Sequence, residues 1–499
     1  MFLKRVVLCG AVRFRALTTV HLRLLLGGNI MKTGLKRILC LLCAMCMFVF
    51  ALTACGGKDD KDTNTSSQSS GAGASTNETV SFNTPNIEPG SVWENFDPYA
   101  TISDSIKGST VRYATWIDHT QTEGAVPLAN FEADTGLKVE LYTVAQSGYV
   151  NTLMTKMAAG DIPDVFISNE GDGAFPMTFQ IAAPINKVST VNLEEPIWDQ
   201  SMLATATIEG NVYLVNTIGS PWSGSNLVYY NKRLFEENGF KTPEEYYKAG
   251  TWTWDNLLKC AKDVKALGAD YTGIMLESDI LLGSLGTSFI KYDYKTATFS
   301  SGLNDKALLE GYQWYADARE NGYLDGSFAS FTKGKCAIVI RGVYGLKNTG
   351  YFMNMDPNDV GFTYLPAMEE GEKGLISSIY GMHGIIDGAP NADAAGYFIR
   401  YWLDPKNYDL NNTFITIEAG NFYYELINTV ADQKYFCPDQ PVAYLAGEKT
   451  NVFTSALYKT TSAGMKTAID SLSNVVDKCV NDANALIQKK LAADRAKYN

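Results

Sequence analysis

Residues 211–231 read NVYLVNTIGSPWSGSNLVYYN. An apolar run suited to extended backbone (Val212, Tyr213, Leu214, Val215) meets a knot of turn formers, Ile218-Gly219-Ser220-Pro221-Trp222-Ser223-Gly224. A second such run follows at Leu227, Val228, Tyr229 and Tyr230. Asn231-Lys232-Arg233-Leu234-Phe235 then opens a helix that Asn238-Gly239 can close in the left-handed conformation. Two buried strands joined through Gly, Ser and Pro leave backbone amides open around one tryptophan. On local grounds Trp222 fits the core of an ordinary strand–loop–strand as well as it fits a site. The wider chain has to decide.

With 499 residues the chain is too long for a single core, so two lobes or domains are expected. A composition that is 46% hydrophobic and 12% aromatic suits a globular protein. The formal net charge of -12 is unevenly spread. Residues 1–54 hold eight basic residues and no acidic one; taking those eight from 42 leaves 34 basic against 54 acidic residues, a net of -20. A body so acidic argues against nucleic acid, whose phosphates call for clustered Lys and Arg. It suits a neutral ligand.

Residues 31–55, MKTGLKRILCLLCAMCMFVFALTAC, set a short basic head before an apolar run over 38–52. That run is short for a membrane span and is placed as a secretory signal is. Leu52-Thr53-Ala54-Cys55 before Gly56 resembles a bacterial lipoprotein box. The resemblance implies that 31–54 is a signal peptide and that Cys55 is linked to diacylglycerol, holding the protein on the outer face of the cell membrane. An uncleaved signal anchor is the alternative. Such a signal starts at its basic head, Met31-Lys32, so residues 1–30 are expected to be a mis-assigned extension. Peptides upstream of Met31 in the precursor would overturn that expectation. Residues 55–107 are expected to be the lipidated cysteine and a flexible tether, because 56–89 are mostly Gly, Ser, Thr, Asn and Asp and cannot bury enough to order themselves. The body keeps Cys260, Cys336, Cys437 and Cys479 without a CxxC pattern, so no metal site is expected. Disulfide pairing and burial as small hydrophobes both remain open.

From Gly108 the pattern alternates: strand 109–116, helix 126–134, strand 137–144, helix 149–159 and strand 164–167. This predicts a mostly parallel sheet, in which ligands bind beyond the carboxyl ends of strands. Several segments then resemble one family, in its order. Phe131-Glu-Ala-Asp-Thr-Gly136-Leu-Lys-Val139 is similar to F-x-x-x-T-G-I-x-V, and Ala159-Gly160-Asp-Ile-Pro163-Asp164-Val165 falls in a stretch similar to A-x-G-x-x-P-D-V. Tyr213, Tyr230-Asn231-Lys232, Thr253-Trp254-Asp255 and Phe331-x-x-Gly334-Lys335-x-Ala337 complete the set. The family is the family 1 extracellular solute-binding proteins, the maltose-binding type that serves ABC sugar importers. The resemblance implies a two-lobe periplasmic-binding-protein type II α/β fold, each lobe a mostly parallel sheet flanked by helices, with interleaved chain crossings. Lobe one would hold 108–217 and 336–402, and lobe two 218–335 and 403–499. It further implies an ABC permease as partner, a monomeric protein, no cofactor and no chemistry in the binding step.

Sugar rings present apolar faces and rims of hydroxyls, so a site for them needs flat aromatics together with carboxylates, amides and Arg. These residue types stand at predicted strand ends: Trp116 with Asp118, Asn169 with Glu170, Trp222 with Ser223, Arg341 with Tyr344, and Tyr380 with Met382. These ten are the candidate ligand contacts, for a carbohydrate of oligosaccharide type. His119 and His383 are expected to be structural, and Thr253 is expected to cap a helix that buries Trp254. The chain has no G-x-S-x-G, H-E-x-x-H or G-x-x-x-x-G-K-[ST] segment. A glycoside hydrolase with two carboxylates, a surface adhesin, or a binding protein for a non-sugar solute are the alternatives.

Overall fold

The alternation expected after Gly108 is present in the computed structural model, which describes residues 87–499 apart from 170–176, 223, 380, 410–412, 428, 430–433, 436, 449–451 and 499. The expected extension 1–30, the expected signal 31–54, Cys55 and the expected tether as far as residue 86 lie outside the described residues, as do Glu170, Ser223 and Tyr380. β1 (Thr110–Thr115), α1 (Ala125–Thr135), β2 (Lys138–Thr143), α2 (Tyr149–Ala158) and β3 (Val165–Ser168) follow as read. Gly136 ends α1 at φ 70°, its N–H reaching the Glu132 carbonyl. β4 (Ala182–Ala183) and the hairpin β5 (Thr207–Ile208) with β6 (Asn211–Val212) come next. The strand expected over 212–215 is therefore cut short. Tyr213, Leu214 and Val215 are nonetheless fully buried, and Val215 exchanges both backbone hydrogen bonds with His383, each 2.9 Å.

Past the crossing the chain builds a second sheet on β7 (Gly224–Asn231). The Asn231 side chain accepts from Leu234 N to start α3 (Lys232–Glu237), and Thr253 caps α4 (Trp254–Lys265) in the same way. There follow β8 (Thr272–Met275), β9 (Ile290–Asp293), β10 (Thr298–Ser301), α5 (Lys306–Glu320), β11 (Cys336–Gly342), β12 (Val360–Thr363), β13 (Ile376–Ile379) and β14 (Met382–Ile386). The chain ends through α6 (Ala392–Leu403), α7 (Ile417–Ile427), β15 (Lys434–Tyr435), α8 (Asp439–Leu445) and α9 (Ser473–Tyr498).

The first sheet runs β2-β1-β3-β14-β4 and the second β15-β13-β7-β11-β8, with β12 also on β7. Both are mixed rather than mostly parallel. β1 is parallel to β2 and β3, whereas β14 is antiparallel to β3 and β4; β7 is antiparallel to β11, β12 and β13. Both β7 and β14 follow a passage from one sheet to the other.

Pairing also corrects the expected boundaries. β13 ends at Ile379 and β14 begins at Met382, and the two enter different sheets. β11 to β13 pair within the second sheet, so the return to the first comes at β14 and not at Cys336. Nor does everything after Leu403 belong with the second sheet. The end of α9 meets the first-sheet side, where the Tyr213 hydroxyl donates to Asp494 at 2.8 Å and Tyr498 donates to Asp387 at 2.7 Å. Part of the segment expected to be tether is packed instead. Ile102 is buried and the Tyr99 ring lies 6.2 Å and 5.7 Å from the rings of Tyr397 and Tyr401 on α6, since the apolar residues of 93–106 give this segment something to bury.

Trp252 and Trp254 are core residues. His119 and His383 are fully buried among aromatic rings, and desolvation pushes both down to about 3, so they are neutral. The four described cysteines are free thiols, three of them buried, which settles the choice against pairing among them. No described helix is long and apolar enough to cross a membrane.

Asp439 is a buried charge site with a measurable consequence. It opens α8 and accepts from Phe289 N at 3.0 Å and Ile290 N at 2.8 Å, fastening that helix to β9. Burial, partly offset by those two amides, pushes its carboxyl up to about 7 from 3.8. A carboxyl raised in the fold contributes stability that is complete below its unfolded value and is lost as pH rises through its folded one. Across about pH 4 to 7 Asp439 therefore pulls the melting temperature down as pH rises, while His119 and His383, held neutral in the fold, pull it up until the ordinary imidazole value is passed. Asp439→Asn should remove that downward pull, so that its melting temperature relative to the wild type climbs across the range, whereas Asp279, which burial raises to about 6, and the two histidines act alike in both proteins. Thermal melts across this range check it; equal slopes would acquit Asp439.

Candidate ligand-binding cleft

Three strand ends and one crossing converge. After β1 come Trp116, Ile117, Thr122 and Glu123; after β3, Asn169; from the crossing, Pro221 and Trp222, with Gly224 opening β7; after β11, Val343, Tyr344, Lys347 and Tyr351. Together they enclose a cavity of about 310 Å³. The end of a sheet is where side chains from separate strands can face one space, as the strand-end rule requires. The first sheet supplies one wall and the second the other.

The rings at this site are held by named partners. Trp116, half-buried, meets the Tyr149 ring edge-on at 4.9 Å, and the Tyr149 hydroxyl is tied to the Ala114 carbonyl at 2.8 Å. Trp222 stacks on Trp402 with centroids 5.1 Å apart and donates its indole N–H to the Tyr408 hydroxyl at 2.8 Å. One indole face is thus spent on the core, and Trp222 also lines the cavity. Tyr344 is 38% exposed; its hydroxyl donates to the Thr349 carbonyl at 2.6 Å and its ring stands edge-on to Tyr351 at 5.4 Å. The Asn169 carboxamide oxygen is buried and has no hydrogen-bond partner among the described residues. It is an acceptor left open beside the cavity.

Four of the ten predicted contacts, Trp116, Asn169, Trp222 and Tyr344, line this one space. Asp118 does not. Its carboxylate turns back to accept from Thr120 N at 3.1 Å and Thr120 Oγ1 at 2.6 Å, capping a short turn. Arg341 also turns away and pairs with Glu277 at 2.5 Å. Met382 is 1% exposed in the core, because β14 is an interior strand. Glu170, Ser223 and Tyr380 lie outside the described residues. Sequence reasoning missed Glu123, Lys347 and Tyr351. Tyr351 was within reach, standing seven residues beyond Tyr344 in an aromatic stretch. Glu123 and Lys347 were not, because their meaning comes from pairing across 224 positions.

Glu123 is the one carboxylate among the described lining residues, and it is bound to Lys347. The rest of the described wall is rings, one amide, one threonine hydroxyl and apolar groups. Two lobes, several crossings and a cleft walled by both define a binding protein of the two-lobe type II class.

The chain belongs to the bacterial extracellular solute-binding protein family, whose model matches residues 107–409. A Brucella abortus protein whose name says only that it binds is 25% identical over 187 residues, covering 35% of this chain and 43% of that one. The chain thus matches less than half the length of such curated relatives. The GacH receptor of Streptomyces glaucescens, solved unliganded and with acarbose, is similar at a TM-score of 0.54 and 15% identity, over 77% of this chain and 99% of that. Maltose-bound MalE3 of T. maritima is similar at 0.54 and 16%, over 74% and 99%. A Staphylococcus aureus extracellular solute-binding protein with maltose gives 0.54 and 14%, over 74% and 98%. At these identities the likeness establishes the fold.

Core and rim positions should separate on mutation. Met382→Ala is expected to cost about 2–5 kcal/mol in denaturant unfolding, the range for emptying a buried Met site. Tyr344→Ala, at a partly exposed rim, should cost less than about 1 kcal/mol. Similar losses in the two would contradict the placement.

Proposed function

We propose that this protein is the substrate-binding lipoprotein of an ABC importer, capturing a carbohydrate between its lobes and presenting it to a membrane permease. The observation that carries this is the convergence of Trp116, Trp222, Tyr344 and Tyr351 on one cavity walled by both sheets, with Asn169 beside them. Aromatic rings suit the apolar faces of pyranoses, and an amide suits their hydroxyls. Family membership and the sugars held by the similar structures support the same reading. Binding of this kind makes and breaks no covalent bond, and its coupling to transport is closure of one lobe on the other. In this reading the first lobe comprises 110–217 with 382–402, the second 224–379, and the segment after 403 serves both. Cys55 carries the lipid that keeps the protein at the outer face of the membrane.

A thermal-shift screen of the purified protein against mono- and oligosaccharides tests it. A true ligand at one hundred times its Kd should add about 2.7 kcal/mol of stability. Tyr344→Ala and Trp116→Ala should each weaken that ligand by about tenfold or more. A protein unmoved by any sugar but stabilised by another solute class would end the carbohydrate reading. Consumption of the sugar would end the transport one.

A further inference from the structure

Lys347 and Glu123 form an ion pair whose side chains are only 5% and 7% exposed. Glu123 stands in the loop between β1 and α1, on the first sheet. Lys347 ends the turn after β11, on the second, where its backbone pairs with Phe414 and the next amide, Asn348 N, bonds to the Thr413 carbonyl at 2.8 Å. The ammonium also donates to the Pro221 carbonyl in the crossing at 2.9 Å and lies 5.5 Å and 5.8 Å from the ring centres of Trp222 and Tyr423. Burial pushes the Glu123 carboxyl up, and the ammonium more than offsets it, leaving the acid ionised below its usual range.

Both residues line the cavity. An ammonium has three donors, and Glu123 and Pro221 take two of them. A buried pair split in half leaves an uncompensated charge, so it resists separation more than a surface pair does. We propose that Lys347 is the positioning residue of capture: paired with Glu123 it pins the two lobes together at the cleft, and its remaining N–H takes an acceptor oxygen of the guest. One group then senses both ligand and closure. The pin stands on the ion pair alone, whereas the contact to the guest rests on the ligand-capture reading above.

Small-angle scattering of the ligand-free protein tests the pin. Lys347→Met and Glu123→Gln are each expected to raise the radius of gyration through opening, the double variant to open no further than the larger single, and Lys347→Arg to match the wild type. Melting curves confirm that each is folded, and Glu123→Gln, which keeps its shape, decides the matter should Lys347→Met not fold. Folded single variants that scatter as the wild type does, or a double variant that adds the two effects, would overturn the pin. The second arm is affinity. For each sugar that stabilises the wild type, Lys347→Met should raise Kd by about tenfold or more through faster dissociation, with Lys347→Arg recovering most of it. Unchanged affinity would overturn the contact to the guest. If no sugar stabilises the wild type, the carbohydrate reading and that contact fall together, and scattering still decides the pin.

Discussion

The cleft depends on one aromatic stack where the chain passes between its sheets. Trp222 lies flat on Trp402, 10° from parallel, and its N–H reaches Tyr408, whose own hydroxyl donates to the Trp402 carbonyl at 2.5 Å. The Thr217 hydroxyl donates to the Leu403 carbonyl beside them. Residues near 220 and near 405 are thereby laid side by side, although almost two hundred positions separate them. His119 meets both indoles edge-on, at 4.8 Å and 4.9 Å. Ring pairs of this kind add about 0.5–1.5 kcal/mol each beyond the area they bury, and here several share members. Gly124 shows how close the fit is: a Cβ there would stand 2.5 Å from the Trp402 ring and 3.2 Å from His119.

The same packing decides what charge the cleft presents. Both histidines nearby are held neutral by desolvation, so neither changes charge across the ordinary pH range. The one carboxylate and the one ammonium of the described wall cancel each other. An acidic protein thus encloses a nearly uncharged space. A neutral guest rich in hydroxyls would need only hydrogen-bond partners on entering it, whereas a free anion or cation would need a countercharge that the described wall has already spent on itself.

How much of this was legible in the chain follows from the range of each interaction. Helix caps such as Asn231 and Thr253 and the stop at Gly136 are local, and they read correctly. The strand-end rule brought Trp116, Asn169, Trp222 and Tyr344 to one place, because alternation of strands and helices fixes which loops lie at the same edge. What failed was non-local. Nothing in the sequence of residues 376–386 tells that β13 and β14 enter different sheets, since apolar residues run through both. Asp118 and Arg341 have the right chemistry for a site, yet each found a nearer partner, a backbone amide in one case and Glu277 in the other. Met382 has the right position in sequence but opens an interior strand that is buried along its whole length. Glu123 and Lys347 are unremarkable until the fold brings them together.

The last helix sets the terms on which the molecule can change shape. α9 has 26 residues, roughly 39 Å of rigid rod at the usual rise. Midway, Asn484 grips β10 by both ends of its amide, accepting from Phe299 N at 2.8 Å and donating to Phe299 O at 2.9 Å. Toward its end Asp494 and Arg495 hold Tyr213 and Glu209. A strut moored at both points cannot shorten or stretch, so sliding one half past the other would tear a mooring. Swinging about an axis near the rod would leave both intact, so in the two-lobe reading the rod would serve as the spine of a book whose covers turn.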